Sequence, residues 1–371
     1  MKNISQIQYL ENVKVVISTD FNVPIADNKV KEEYRLIKNI ETIKYLLDRK
    51  AKLVILSHLQ SPKGDNLSLE PVFNYLKEKG LNIRFEKKIT HLSQEIESLN
   101  GGECILLENI RSFDGETQND ATFAKALASL FDIYVNEAFS VSHRKHASIV
   151  GLPKYLESYA GFQFEREVRE LSKIFEPKRP FLFILGGAKF STKMPLVSKF
   201  LDLADKVYIG GALANNIIKA RGYNIGRSTF DDKADITSII SNKKLVSPQD
   251  IVNDDHRTKN LSDINLEDNI VDIGMESQKD ISKLIDESGM ILWNGPMGKY
   301  EDGFIETTQN IAREIAKATE SGVISILGGG DTLSAIQDLG LLEKYTFVST
   351  GGGAMLQFLA DQTLPGIDAL K

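Results

Sequence analysis

Short apolar runs alternate with longer amphipathic stretches along most of the chain. In the first half the runs are Val15–Thr19, Leu53–Ser57, Ile105–Glu108 and Ile133–Asn136. They are rich in Val, Ile and Leu and too short for helices, which predicts strands buried on both faces. Between the first two, Leu36, Ile40, Ile43 and Leu47 recur at helical spacing, while Lys38, Glu41 and Lys44 occupy other faces. That is the pattern of an amphipathic helix laid on a sheet. The second half repeats the rhythm. Strands expected near 181–185, 206–210, 290–293, 323–327 and 345–349 alternate with helices near 192–203, 212–221, 308–319, 331–338 and 353–361. Strand–helix alternation implies parallel sheets covered by helices. Two such blocks predict an α/β chain of two Rossmann-like domains, each a doubly wound parallel sheet in a three-layer αβα arrangement.

The expected boundaries are 1–158 for the first domain, 159–354 for the second and 355–371 for a tail. Phe162, Phe164, Val168, Leu171 and Ile174 approximate a helical stripe, so 159–176 is read as an interdomain helix stopped by Pro177 and Pro180. It suits an ordinary core helix and a hinge equally well. The Asp/Asn-rich region 225–275 has no pattern strong enough to assign.

With 371 residues, 42% of them hydrophobic, the chain can bury a sizeable core as two domains. A net charge of −6 gives no support to nucleic-acid or membrane-surface binding. The single Cys104 excludes an internal disulfide and suits a reducing compartment. Its CILLEN setting reads as a buried thiol, not a nucleophile. The opening MKNISQIQYLENVK has no apolar leader core, and no run reaches the ~18 residues of a membrane span. A soluble cytoplasmic protein is expected.

Three glycine-rich turns follow apolar runs: FLFILGGAKFSTK (181–193), VISILGGGDT (323–332) and TFVSTGGGA (346–354). Glycines let the backbone approach a ligand, and the next helix aims its free N–H groups there, as α/β folds bind phosphate. One such turn is often only tight packing. Three, accompanied by Lys189, Lys193 and Asp331, point to a nucleotide and its metal. A Walker A loop is absent, since Gly298-Lys299-Tyr300 lacks the hydroxyl, and no GxGxxG follows a strand. The phosphate site must therefore be assembled from several loops. Lys189 and Lys193 are four apart at a helix entry and can share a face; the alternative is a pair of solvated lysines. Asp331 with Thr332 is either a simple helix cap or a ligand for nucleotide-bound magnesium and phosphate oxygen. In LWNGPMGKYE (292–301), Pro296 and its glycines fix a turn at a strand end, Trp293 reads as core, and Glu301 is a candidate for ribose hydroxyls.

The first half carries a different set. TDFNVP (19–24) bears Asp20 and Asn22, and downstream come Arg35, LSHLQSPKG (56–64), LLENIR (106–111) and NEAFSVSHRKHAS (136–148). All but Arg35 follow a predicted strand and should gather along one sheet edge. The cluster Arg35, His58, Arg111, His143, Arg144 and His146 suggests an anionic small-molecule substrate in an otherwise acidic protein. The histidine spacing matches no standard zinc motif.

Together these segments resemble phosphoglycerate kinases. DFNVP, SHL..PKG, LLEN.R, HR.H, GGAK.S.K, WNGPMG, GGGDT and STGGGA occur in that family's order, and the resemblance runs from Lys14 to the terminal LPGIDAL. It implies two domains facing a hinged cleft, 3-phosphoglycerate or 1,3-bisphosphoglycerate on the first, MgATP or MgADP on the second, a tail returning to the first, and a monomer. Carried over by position, Asp20, Asn22, Arg35, His58, Arg111 and Arg144 would bind the triose acid. Gly187, Lys189, Lys193, Gly210, Gly211, Asn294, Glu301, Gly329, Gly330, Asp331 and Thr332 would serve the nucleotide, with Mg2+ at Asp331. Gly351, Gly352 and Gly353 would offer N–H groups to the phosphoryl in transit, with Arg35, Lys189 and Lys193 neutralising its charge. Such a glycolytic transfer, completed by domain closure, needs alignment and charge neutralisation but no protein nucleophile, and an ionised carboxylate acceptor needs no base.

The departures concentrate on the acid side. Ser18 and Ser61 stand where the family has arginines, Gln60 and Ser140 where it has glycines, Glu137 for an aspartate, and Lys145 adds a charge. On the nucleotide side Ala212 replaces a glycine and Met275 a proline. The resemblance therefore implies a kinase with a weakened or rebuilt acid site. A related enzyme for another carboxylate, or a nucleotide-binding protein without turnover, are the alternatives.

Overall fold

A computed structural model describes residues 1–61 and 63–371. The chain divides into two compact units, Met1–Arg169 together with Asp361–Lys371, and Glu170–Ala360. It passes from the first to the second within the helix Phe162–Ser172.

In the first unit the apolar runs become parallel strands. The sheet order is Ile83–Glu86, Cys104–Leu107, Lys52–Leu56, Lys14–Ser18, Ile133–Asn136, Glu157–Ala160. Val15 pairs with Leu53 on one side and Ile133 on the other, so strand order reverses beside the central strand. Loops at such a reversal leave a crevice at the carboxyl ends, where α/β sheets bind ligands. The two edge strands, IRFE and ESYA, are part polar because each has a neighbour on one side only; they escape the apolar pattern. The helix Tyr34–Asp48 buries Leu36, Ile40, Ile43 and Leu46, with Leu47 only half-buried. Cys104 is buried and its thiol is pushed up to about 12, chiefly by burial. Glu137 is buried at the start of the helix Phe162–Ser172, where its carboxylate accepts the backbone N–H groups of Gln163 and Phe164, both at 3.0 Å. Burial pushes this carboxyl up to about 7.

The segment Asp361–Lys371 packs on the first unit through buried Leu364, Ile367 and Leu370. The Gly366 N–H donates to the Ser142 carbonyl at 2.8 Å. A Cβ on Gly366 would stand 2.5 Å from the Ser142 hydroxyl, so the approach requires glycine.

The second unit has a parallel sheet in the order Leu245–Val246, Lys206–Ile209, Phe181–Leu185, Met290–Asn294, Ile324–Gly328, Phe347–Val348. By sequence that order is 3-2-1-4-5-6, with the reversal between Phe181–Leu185 and Met290–Asn294. Trp293 is fully buried and its Nε1–H donates to the Gly295 carbonyl at 2.8 Å. The unassigned region contains a three-stranded antiparallel sheet, Thr258–Asn260, Asp250–Asn253 and Ile270–Ile273. Asp250 is buried there and caps the helix Met275–Asp286, accepting from the N–H of Glu276 at 3.0 Å and of Ser277 at 2.8 Å.

Candidate functional site

In the first unit the loop after Lys14–Ser18 places Asp20 below the surface. Its Oδ2 pairs with Arg35 Nη1 at 2.9 Å and accepts from the Ser140 hydroxyl, while Oδ1 accepts the Asn22 N–H at 3.0 Å. Burial opposes ionisation of Asp20, but Arg35, then His58 and these hydrogen bonds outweigh it and hold the carboxyl below its ordinary range. Arg35, at the start of the helix Tyr34–Asp48, also donates to the Asn22 carbonyl at 2.9 Å. The same guanidinium is therefore fixed from two sides. His58 is buried after Lys52–Leu56. Burial drives it down to about 4, with Asp20 opposing and the fields of Arg111, Arg144 and Arg35 assisting. Arg111 is buried as well, lowered to about 10 by burial and by Arg144, whereas Arg144 is exposed and its Nε lies 3.4 Å from His143 Nε2. All six residues expected at this site thus meet at one sheet edge. His146 joins them, pushed to about 4 by burial and by Arg111 and Arg144. Three guanidinium groups surround imidazoles that stay neutral at pH 7, which makes a fixed positive site for an anion.

The neutral histidines set a pH dependence. His58 and His146 titrate near 4 in the fold against about 6.5 in the unfolded chain. Between those values the unfolded state binds more protons, so stability rises with pH and is complete above about 6.5. Buried Glu137 and Asp272, both raised to about 7, act in the opposite sense over the same window, so the histidine contribution is read by difference: the gap in melting temperature between the protein and its His146→Gln variant should narrow as the buffer is taken from pH 7.5 to 5. A gap that stays constant over that span would contradict the assignment.

The two serines at the family's arginine positions occupy different places. Ser18 is buried and donates to the Ser148 carbonyl at 2.8 Å, beside a cavity of only about 10 Å³ shared with Glu116 and His146. His58 and Arg111 of the anion site line the same cavity, which is too small for an arginine side chain at position 18. Ser61 is on the loop, bonded to Asp65 Oδ2 at 3.1 Å and accepting the Lys63 and Asp65 N–H groups. Lys145 is exposed. Ser140, visible in sequence only as a departure from the family, joins the cluster: its hydroxyl donates to Asp20 Oδ2.

In the second unit the loops after Phe181–Leu185 and Met290–Asn294 border a cavity of about 330 Å³, within the range of small-ligand sites. Gly187, Gly211, Glu301 and Asp331 line it, among apolar Ile218, Ile251, Val271 and Met297. Gly211 has φ +59, and a Cβ there would stand 2.9 Å from Gly187 N and 3.0 Å from Pro296 O. Its glycine character serves the packing of three loops on one another. Gly330 and Gly352, by contrast, face open space. Lys193 is half-buried; burial lowers its ammonium and Asp331 opposes this. Lys189 is exposed at the start of the same helix. The buried Asn294 Nδ2 has no hydrogen-bond partner among the described residues and sits 3.0 Å from where a Gly329 Cβ would be. A donor buried without a partner at a φ +100 glycine turn suits a phosphate or ribose oxygen. A single exposed carboxylate, Asp331, beside a phosphate turn suits magnesium, which is usually held by one or two carboxylates plus phosphates. No larger His/Cys/Asp/Glu group fit for a metal occurs among the described residues.

Three of the expected residues make contacts within the protein. Gly210 lies beneath the site, where a Cβ would strike Met297 Sδ. Thr332 is fully buried and its Oγ1 accepts the Gly295 N–H at 2.7 Å, which braces the NGPMG turn. The Gly351 N–H is taken by Ser349 Oγ at 3.0 Å, leaving Gly352 and Gly353, at the start of the helix Gly353–Asp361, as the anion-facing donors. The sequence also missed Asp272, which lines the cavity and whose carboxyl burial pushes up to about 7.

A fixed cationic pocket on one α/β unit and a phosphate-loop cavity on another define a nucleotide-dependent phosphotransferase for an anionic acceptor. Comparison with known proteins narrows this. The phosphoglycerate kinase family profile matches residues 4–362. Phosphoglycerate kinases of Wolbachia sp. subsp. Drosophila simulans (strain wRi) and of Finegoldia magna are each 40% identical, covering 98% and 97% of this chain and 96% and 97% of theirs. Among solved structures, phosphoglycerate kinase from Coxiella burnetii matches with TM-score 0.84 at 34% identity, over 99% of this chain and 97% of that one. The Pyrococcus horikoshii OT3 enzyme matches with TM-score 0.86 at 28% identity, over 100% and 98%. The chain belongs to the phosphoglycerate kinase family, phosphotransferases with a carboxyl group as acceptor.

Proposed function

We propose that the chain catalyses reversible phosphoryl transfer between 1,3-bisphosphoglycerate with ADP and 3-phosphoglycerate with ATP. The observation that carries this reading is the acid site: three guanidinium groups set among neutral histidines. An acceptor carboxylate is already ionised at pH 7, so the chemistry asks for position and charge alone.

Arg111 and Arg144 bind the acid through their charge, with His58 and Asn22 as neutral neighbours. Asp20 orients Arg35, whose remaining N–H groups face the carboxyl end. Lys193 neutralises charge on the phosphoryl in transit, and the Gly352 and Gly353 N–H groups meet its oxygens. Glu301 and Asn294 hold the ribose and phosphate oxygens, and Lys189 adds an exposed positive charge at the mouth. Asp331 would hold magnesium on the nucleotide phosphates, supplying further charge neutralisation. A cytoplasmic monomer belongs to the same reading, since the residues assigned to each half-site all come from one chain.

Steady-state transfer from MgATP to 3-phosphoglycerate, titrated to saturation, tests the reading. Saturable turnover is expected; clear ATP binding with no turnover would transfer the role to another acceptor, a possibility favoured by the short Ser61. The placement of the two serines gives a sharper expectation. Ser61→Arg should lower KM for the acid by about 10-fold, the worth of one charge-assisted bond, whereas Ser18→Arg should not. Equal effects of the two substitutions would contradict the assignment of Ser18 to the buried side.

A further inference from the structure

Arg111 is the most deeply buried of the three site arginines, and a single side chain hydrogen-bonds its guanidinium among the described residues. That side chain is Gln60, whose Oε1 accepts from Arg111 Nη1. Gln60 is itself held at its backbone N–H and at both ends of its side-chain amide. Its backbone N–H donates to Asn22 Oδ1 at 2.9 Å. Its Nε2 donates to the Gly64 carbonyl and to Asn66 Oδ1, both at 3.2 Å. Asn66 Nδ2 in turn donates to the Arg111 carbonyl at 2.8 Å. Gln60, Asn66 and Arg111 thus form a closed ring that grips the arginine at backbone and side chain together.

The chemistry of the ring fixes which residue can fill position 60. The Nε2 side faces two acceptors and the Oε1 side faces a donor, so the amide has one sensible orientation. A glutamate would set a carboxylate against the Gly64 and Asn66 oxygens and would also neutralise the guanidinium. A neutral amide orients Arg111 and leaves its full charge for a ligand.

We propose that Gln60 is a positioning residue for anion binding: it pre-aims the buried Arg111 guanidinium at the acid's charged group without cancelling its charge. The inference rests on the acid half-site proposed above. Its energetic role is in preorganisation, because a guanidinium already held in place loses less freedom when the anion arrives. The expected signature is therefore in affinity, not in turnover.

Gln60→Met, similar in size but unable to accept the bond, should raise KM for 3-phosphoglycerate about 5- to 20-fold with kcat within about twofold. Gln60→Gly should agree with it, and melting curves of both should stay close to wild type because the residue is half exposed on a loop. Gln60→Glu should weaken binding beyond Gln60→Met, since it removes charge as well as geometry. The same ranking should appear in the dissociation constant for inorganic phosphate, measured calorimetrically on the full chain. If wild type shows no turnover, the kinase reading fails while the phosphate ranking still decides the role of Gln60. Overturning results are a Met variant within twofold of wild type in affinity, a Glu variant that binds as well as wild type, or a loss confined to kcat.

Discussion

Lys193→Ala should lower kcat by about 10²–10³-fold, the scale of removing one preorganised charge donor from a transition state, with melting temperature nearly unchanged. Among the described residues Lys193 has no hydrogen bond or ion pair; what acts on it is burial, which lowers its pKa, and the field of Asp331, which raises it. An ammonium held half-buried near one carboxylate is poorly compensated until phosphate arrives. Removing it relieves desolvation in the free protein, so folding loses little, while the proposed reacting complex loses one positive charge. Lys193→Arg keeps the charge but spreads it over a planar fork, and only part of the rate should return. Kinetics with both substrates saturating, paired with thermal melts, separates these outcomes. Turnover close to wild type would remove Lys193 from the reaction.

Arg35→Ala should damage stability and catalysis together. Asp20 is buried and Arg35, itself 28% exposed, is its ion-pair partner at 2.9 Å. Breaking a largely buried pair by removing one member costs about 3 kcal/mol, because a carboxylate is left without its counter-charge. kcat/KM should fall at least about 10²-fold from loss of the oriented guanidinium. The pH dependence supplies the check. In wild type the depressed Asp20 contributes stability above its unfolded pKa, and that contribution is lost as pH falls through the lower folded value. Without Arg35 the largest influence opposing burial is lost and the carboxyl rises relative to wild type, so the variant loses less stability on acidification. The difference in melting temperature between wild type and variant should narrow from pH 7 towards pH 4. A difference that stays constant with pH would mean the pair contributes nothing electrostatic.

The strands with apolar residues on both faces were legible because burial on both sides leaves a continuous hydrophobic run, as at Val15–Ser18 and Phe181–Leu185. Glu157–Ala160 was not, because an edge strand keeps polar positions. The antiparallel strands Asp250–Asn253 and Ile270–Ile273 hide for a related reason. They are short, and a buried Asp250 that caps a distant helix looks like a loop acid in sequence. The site residues divide along the same line. Arg35, Lys193 and the glycine turns stand in motifs whose local chemistry is visible. Ser140 and Gln60 act through partners 120 and 51 positions away, and no local pattern announces such a pairing. Glycine was legible as a residue type but not as a role. Gly210 and Gly211 serve loop packing, whereas Gly330 and Gly352 stand open to a ligand, a difference that depends on what the fold brings opposite each one.

The packing of Asp361–Lys371 on the first unit makes that unit discontinuous in sequence, with all of Glu170–Ala360 inserted between its two parts. A ribosome making this chain emits Met1–Arg169 long before the segment that carries Leu364, Ile367 and Leu370. The second unit, being continuous, can finish folding as it emerges, while the first waits with the apolar seat near Ser142 and Ile149 uncovered. Closing a loop of such length carries an entropy that grows only slowly with length, so the late step is thermodynamically cheap but sets an order of assembly. The N-terminal half is made first and completed last, and its exposed seat is the surface a chaperone would meet on the nascent chain.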